Sequence, residues 1–505
     1  MSHRLSTFLA VAVALLLAGP AAADQPDAPS NRRDLSLTLS GGVSLGAYEA
    51  GYVYLTTEAV KESKGLRRVK LATGASAGAV NALFAALNSC SPPVPSPTDD
   101  IGWQTWIDTG YEELFDPDRV TARGIFHRGA FDATFERVEQ IWREGLPADC
   151  DVVVGITTTV VDPQRLEFAE DLPVVRQEER FALRIQGRPD GPPELTNYVD
   201  PDAPLPQPMI PLTGEPTADL QTVRQLLFAS TAFPLAFPPV EFGYCLHTDT
   251  EGRCTEPTRT DSFVDGGIFD NTPLRLAHDL ARRGLRADSG EGGRWRTPDG
   301  LDGTEAAAEL TYLYVDPDTK DYPLPRQRDD EIGDGFLPFA GRLLTNVIRT
   351  ASQQELYTLA EDAPSVRHRL RPVNARFPLA GAHLLNFMGF FERDLRRFDY
   401  YLGMYDACAE LFEVGEEEFH PSQVLGREVS EIPASWKPFA CMWGIFRPDD
   451  PGYRTACADL DRNLRILVQL ALDRLYANCQ GYTPEEVAPY DHHHCTRAAR
   501  GEHPP

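Results

Sequence analysis

Positive charge is scarce in this chain. Lys and Arg number 48 against 75 Asp and Glu, a net charge of −27 over 505 residues. A surface this acidic repels phosphate backbones and strongly anionic membranes, so nucleic-acid binding is excluded. Long apolar runs are also missing beyond the first segment. Nothing downstream of residue 18 is apolar for long enough to cross a bilayer as a helix. The polar end, Gly501-Glu502-His503-Pro504-Pro505, shows none of the alternation of a membrane barrel strand. Metal ligands are sparse: His492, His493 and His494 beside Cys495 have no second ligand cluster, so a solvated tail is expected there and no metal or cofactor is implied.

What is present begins with an export pattern. Arg4 supplies a positive start, residues 8–18 an apolar stretch, and Ala21-Ala22-Ala23 the small residues before Asp24. Residues 1–23 are therefore expected to be a signal peptide, with no lipid-acceptor cysteine at the cleavage point, and residues 24–33 a flexible leader. The expected address is the periplasm or the medium. All 9 cysteines follow the segment to be removed, and in an oxidising compartment most should pair. Cys245 with Cys254 and Cys479 with Cys495 are candidate pairs, and an odd count leaves one thiol over. Hydrophobic residues make up 42%, enough for a large core in two or three domain-sized units.

Three stretches carry chemistry. Gly74-Ala75-Ser76-Ala77-Gly78 stands between an apolar strand, residues 69–72, and a small-residue helix, residues 77–87. A strand–turn–helix of this form lifts a serine hydroxyl off the strand end and aims a helix N-terminus at it. Upstream, residues 35–39 alternate as a strand and lead into Ser40-Gly41-Gly42-Val43-Ser44-Leu45-Gly46. That loop has neither the G-x-G-x-x-G nor the Gly-Lys-Ser/Thr spacing of a nucleotide site. Its N–H groups, those of Gly41, Gly42 and Val43, are better suited to an oxyanion hole facing Ser76, with Ala77 as a further donor. Downstream, Phe263-Val264 leads into Asp265-Gly266-Gly267 and on to Asn271-Thr272-Pro273, which puts Asp265 at a strand end.

Together these stretches resemble the patatin-like phospholipase family: a Gly-rich loop, then G-x-S-x-G, then D-G-G, in that order. Ala229-Ser230-Thr231-Ala232-Phe233-Pro234 and Phe237-Pro238-Pro239 also fit, and the resemblance covers residues 35–315. It implies an α/β, three-layer fold with a mostly parallel central sheet. It also implies a serine–aspartate dyad without histidine, Ser76 as nucleophile and Asp265 as its base, and lipid acyl esters as substrates. Gly46, Gly74, Gly78, Gly266, Gly267 and Asn271 are the supporting motif positions. The sequence departs from the family at Val43, where a glycine is usual, and at Leu45, where Arg or Lys is usual. A β-branched residue resists positive φ, so the loop is expected to be set differently. The missing cation makes acyl-ester hydrolysis the better-supported reading than a phospholipid preference.

A serine hydroxyl needs a base, and an aspartate serves only if partly desolvated; Phe263, Ile268 and Phe237 are the expected apolar neighbours of Asp265. The segment 234–242, with Phe237 and Pro239, is the candidate wall of an acyl pocket. Two alternatives compete. One is a conventional α/β-hydrolase using His247 or His278, disfavoured because too few strands precede the elbow; both histidines are expected at the surface. The other is a lipid-binding or scaffold protein on an inactivated hydrolase fold, disfavoured by the presence of both Ser76 and Asp265.

Along the chain, residues 34–320 are expected to form the acyl hydrolase domain, ending in a last strand at residues 310–315. Residues 321–505 are expected to be mainly helical. Helices are predicted over 47–64, 103–114, 131–142, 220–230, 274–283, 336–359, 387–411 and 460–476, and a both-faces-buried strand over 151–161. Residues 168–185 suggest a hairpin and residues 188–216 a long loop. The aromatic-rich helices read as core, but residues 383–391 are a candidate membrane-docking patch.

Overall fold

The computed structural model describes residues 33–63, 67–169, 172–199, 206–247, 254–255, 258–282, 310–319, 357–359, 361–382, 386–413, 429–447, 450–480, 482–487 and 493–501. In chain order these give β1 (Arg33–Leu39), α1 (Gly46–Glu62), β2 (Arg67–Gly74), α2 (Ala77–Cys90), α3 (Asp132–Glu144), β3 (Asp151–Ala169), β4 (Leu172–Gln186) and β5 (Glu194–Asn197). There follow α4 (Pro216–Ser230), β6 (Val240–Tyr244), β7 (Arg259–Val264), α5 (Leu274–Arg282), β8 (Thr311–Thr319) and β9 (Leu370–Ala375). The longest helices near the end are α6 (Arg393–Glu413), α7 (Lys437–Phe446) and α8 (Arg462–Cys479). Shorter helical turns lie between several of them.

The strands form one 9-stranded sheet in the order β5-β4-β3-β2-β1-β8-β9, with β7 on β3 and β6 on β7. The centre, β3-β2-β1-β8-β9, is parallel throughout. Helices on both faces explain why Ser36 and Thr38 are as buried as Leu37 and Leu39. One apolar cluster takes Leu37, Val154, Ile156 and Phe84; a second takes Val153, Leu71, Leu280 and Tyr312. Alternate residues of β3 thus feed opposite layers, as a pleated strand requires.

β1 has its sequence neighbour β2 on one side and the late strand β8 on the other. Chain connections diverge there, which opens a crevice beyond the carboxyl ends of the strands. The Gly-rich loop leaves β1 into that crevice, and Ser76 leaves β2 beside it.

Several sequence expectations need correction. Residues 310–315 are not the last strand, because β9 adds to the sheet in parallel with β8. The helix expected over 103–114 is two, Ile101–Trp106 and Tyr111–Leu114, separated by the Asp108-Thr109-Gly110 turn. The one expected over 387–411 is likewise Met388–Phe391 and α6, parted by the extended Glu392. The loop over 188–216 contains β5. Of the helix expected over 336–359, all but residues 357–359 lies outside the described residues, as does His492.

α6 lies backbone to backbone on α1. A Cβ on Gly51 would come within 1.9 Å of the Tyr400 carbonyl oxygen, and one on Gly403 within 1.9 Å of that of Tyr48. The Tyr48 hydroxyl donates to Asp406 Oδ2 at 2.9 Å across this contact. Residues beyond 320 therefore grip the helix that continues the Gly-rich loop.

Four disulfides join Cys90 to Cys150, Cys245 to Cys254, Cys441 to Cys457 and Cys479 to Cys495. Two of these are the expected pairs. Cys408 is the free, buried thiol left by the odd count. The first bridge ties the end of α2 to the start of β3, so it fixes the helix behind Ser76 to the sheet. No helix among the described residues is long and apolar enough to cross a membrane.

Candidate active site

Ser76 sits at a backbone angle few serines adopt, φ 52° and ψ −123°. The close crossing around it explains the flanking glycines. A Cβ on Gly74 would lie 2.1 Å from the Gly78 carbonyl oxygen, and one on Gly78 would lie 2.3 Å from that of Leu39. Only glycine allows the strand and helix to approach so nearly. α2 has no side-chain cap, so its leading N–H groups remain directed past Ser76. Ser230, at the end of α4, fixes the turn by accepting the Ser76 N–H at 3.1 Å.

Asp265 arrives by a route that chain order does not suggest. It does not leave the carboxyl end of a parallel strand. β3 overshoots the parallel sheet, and β7 pairs antiparallel with the overhang through Thr159–Val264 and Val160–Phe263. β7 therefore runs back toward β2 and delivers Asp265 over Ser76. The Ser76 hydroxyl donates to Asp265 Oδ2 at 2.6 Å. The other carboxylate oxygen accepts the Gly267 N–H at 2.8 Å. The Asp265 main chain is held by Thr159 Oγ1 to its carbonyl at 2.9 Å and by its own N–H to the Ala232 carbonyl at 3.1 Å.

Asp265 is 2% exposed. Burial pushes its carboxyl up from 3.8 to about 7, against the opposing pull of the Ser76 hydroxyl and the Gly267 N–H. A hydroxyl donating to a buried carboxylate at this distance has the geometry that proton transfer requires. Among the described residues no histidine is hydrogen-bonded to either member. His247 is exposed, as expected. His278 is not a surface residue: it is buried on α5, with Nδ1 3.7 Å from Asp279 Oδ1. No cluster of metal-ligating side chains occurs among the described residues.

The Gly-rich loop departs from its expected behaviour. Val43 does adopt positive φ, 54°, so the loop holds the backbone that a glycine would take freely. Neighbouring contacts impose it: the Ser44 N–H donates to the Asn386 carbonyl at 3.1 Å, and the Ser44 hydroxyl donates to the same oxygen. Asn386 itself has φ 66°. Of the three N–H groups expected to face Ser76, that of Gly41 donates instead to the Asn271 carbonyl at 3.3 Å. Asn271 returns a bond from Nδ2 to the Gly41 carbonyl at 3.2 Å, so this motif asparagine clamps the loop. Gly42 and Val43 have no such partner among the described residues. Gly266 packs against β3, where a Cβ would lie 2.2 Å from the Thr157 carbonyl oxygen; a Cβ on Gly46 would strike the Trp106 ring at 2.5 Å. Leu45 is buried in the core.

A cavity of about 780 Å³, its open mouth included, opens on Ser76. The wall is mostly apolar and is drawn chiefly from Val80, Leu83 and Phe84 of α2; Phe131, Phe135 and Val138 around α3; Leu227, Phe228, Phe233 and Phe237 at and after the end of α4; and Phe387 with Phe390. The segment expected to form it contributes Phe237 alone, and Pro239 is not part of the wall. Phe387 and Phe390, placed by sequence in a docking patch, face inward; Phe391 is 53% exposed, and residues 383–385 lie outside the described residues. Sequence reasoning missed Ser230, Thr159, Arg128 and the α3 wall. Ser230 lay inside a flagged stretch, while the others carry no local signal.

No curated protein matches the chain. Residues 37–278 match the model of the family described as Patatin-like phospholipase, and the match spans the Gly-rich loop, the serine elbow and the aspartate turn. Residues 37–278, with their central sheet between helical layers, are a patatin-like phospholipase domain, and that family's activity in general is lipid acyl hydrolysis.

Proposed function

We propose that this protein hydrolyses lipid acyl esters through a Ser76–Asp265 dyad and an acyl-enzyme. The observation that carries the reading is the 2.6 Å hydrogen bond from the Ser76 hydroxyl to a buried, proton-accepting carboxylate. As Ser76 Oγ attacks the ester carbonyl carbon, its proton passes to Asp265. The tetrahedral oxyanion accepts N–H bonds from Gly42 and Val43, with Ala77 at the start of α2 as a further donor. Collapse expels the alcohol, which takes the proton from Asp265. Water then attacks the acyl-serine, Asp265 accepts its proton, and the fatty acid leaves with Ser76 restored. The acyl chain occupies the apolar cavity.

The same reading accounts for two of the exposed apolar residues, Ile125 and Leu235. Ile125 and Leu235 are joined by the Ile125 N–H to the Leu235 carbonyl at 3.2 Å, and they lie beside Phe126 and the wall residue Phe237, whose rings pack together. They are 45% and 78% exposed, and Leu235 is held at φ 70°. We assign them a transient contact with a lipid surface, zwitterionic rather than anionic given the chain's charge. Four disulfides support an exported, oxidising location. A fluorophosphonate probe tests the nucleophile. The expected result is a single adduct mapped to Ser76; an adduct elsewhere, or none, refutes the assignment.

A further inference from the structure

Arg128 is the one charged residue in the cavity wall among the described residues. Its guanidinium carbon stands 5.6 Å from the Phe228 ring centre and 5.5 Å from that of Phe237. One terminal nitrogen, Nη2, donates to the carbonyls of Pro238 at 2.6 Å and Phe228 at 3.4 Å. Nε is sealed from solvent and has no acceptor among the described residues. No carboxylate lies within ion-pair distance among the described residues. Burial pulls the group down to about 10.

Arginines more deeply buried than Arg128 show what this molecule does when the role is structural. Arg184 forms a two-point pair with Asp151 at 2.6 and 3.0 Å. Arg376 lies 3.6 Å from Asp406 and 3.5 Å from Glu410. Arg396 has only carbonyl acceptors, but all three of its nitrogens are used, on Ile107, Gly389 and Phe390. Arg128 spends one nitrogen of three on the protein. A guanidinium is a planar fork matched to carboxylate and phosphate oxygens. In a chain of net charge −27, a cation left without a carboxylate is not for want of anions.

We propose that Arg128 is an anion subsite of the cavity, reading a phosphate oxygen of a glycerophospholipid whose ester is presented to Ser76. The proposal rests on the hydrolase reading for its substrate, but the binding of the anion does not. The same fork suits the carboxylate of the released fatty acid, and the test separates the two sources.

The variants are Arg128→Gln and Arg128→Lys, with melting temperatures to establish that each is folded. The substrates are phosphatidylcholine and diacylglycerol with identical acyl chains in neutral detergent micelles. Arg128→Gln should lose about ten- to hundredfold more in kcat/KM on the phospholipid than on diacylglycerol, the range of a charge-assisted hydrogen bond. Arg128→Lys should recover part of the loss. A parallel fall on both substrates makes the residue a structural tether and overturns the proposal, as does no change on either. Weaker inhibition by decanoate with an unchanged phospholipid rate overturns the phosphate assignment in favour of product. An arm without turnover uses Ser76→Ala, which should bind hexadecylphosphocholine more tightly than Ser76→Ala/Arg128→Gln. That difference stands even if no ester is hydrolysed, and equal affinities refute the subsite.

Discussion

Replacing Asp265 by Asn should abolish activity and yet stabilise the fold, by an amount that depends on pH. The carboxyl titrates at about 7 when folded and at 3.8 ordinarily, because burial disfavours its charge. A group whose folded pKa is raised contributes stability that is present at low pH and lost as pH rises through the folded value. At three units, the total loss is about 4 kcal/mol, complete above pH of about 8. By linkage, about 2 kcal/mol of it is lost between roughly pH 5.5 and pH 8. Asn has similar shape and carries no charge, so it escapes this loss. Urea unfolding of the disulfide-intact wild type and Asp265→Asn at those two pH values measures the difference. The variant should be the more stable at the higher pH, with the gap widening by about 2 kcal/mol. A gap that is the same at both would show that burial does not hold the carboxyl protonated, and the account of Asp265 as a base poised near neutrality would fail with it.

Two further outcomes follow from the site. The strain at Val43, φ 54°, is of the kind that costs about 1–3 kcal/mol, while glycine loosens the unfolded chain by about 0.4–1 kcal/mol. Val43→Gly should thus raise unfolding stability by about 1 kcal/mol and leave short-ester turnover in place; a destabilised variant would mean that Val43 packing outweighs its backbone. Phe237 is 7% exposed in the cavity wall, so Phe237→Glu should lower kcat/KM on long-chain esters at least about tenfold more than on acetate or butyrate esters. Equal losses on both would remove Phe237 from the acyl pocket.

The parts of this site that a reader finds in the sequence are those with local causes. Ser76 announces itself because a strand–turn–helix crossing at van der Waals limits admits only glycine at 74 and 78. Asn271 and Gly267 are visible for a related reason, since they crowd the same loop. Asp265 is found by its motif, but its approach is not, because nothing in residues 259–264 says that they pair antiparallel with the overhang of β3. Val43 misleads for the opposite reason. Its intrinsic preference argues against positive φ, and the bonds of its neighbour Ser44 to Asn386, more than 340 residues later, hold the loop against it. The cavity is the least legible element. Its wall joins α2, α3, the end of α4 and residues 387–390, and the aromatic residues that line it have the same spacing as those that fill the core. The sheet also crosses residue 320 through β9, so the change from mixed to helical pattern there marks no break in the structure.

The central claim is that Ser76 and Asp265 act as one unit on an ester carbonyl. The most direct measurement is hydrolysis of a medium-chain p-nitrophenyl ester by wild type, Ser76→Ala and Asp265→Asn, followed from about pH 5.5 to pH 9. The account predicts that wild type turns over, that kcat/KM rises to a plateau through about pH 7 as Asp265 ionises, and that both folded variants are inactive. An inert wild type, or a Ser76→Ala protein that keeps the full rate, would contradict it.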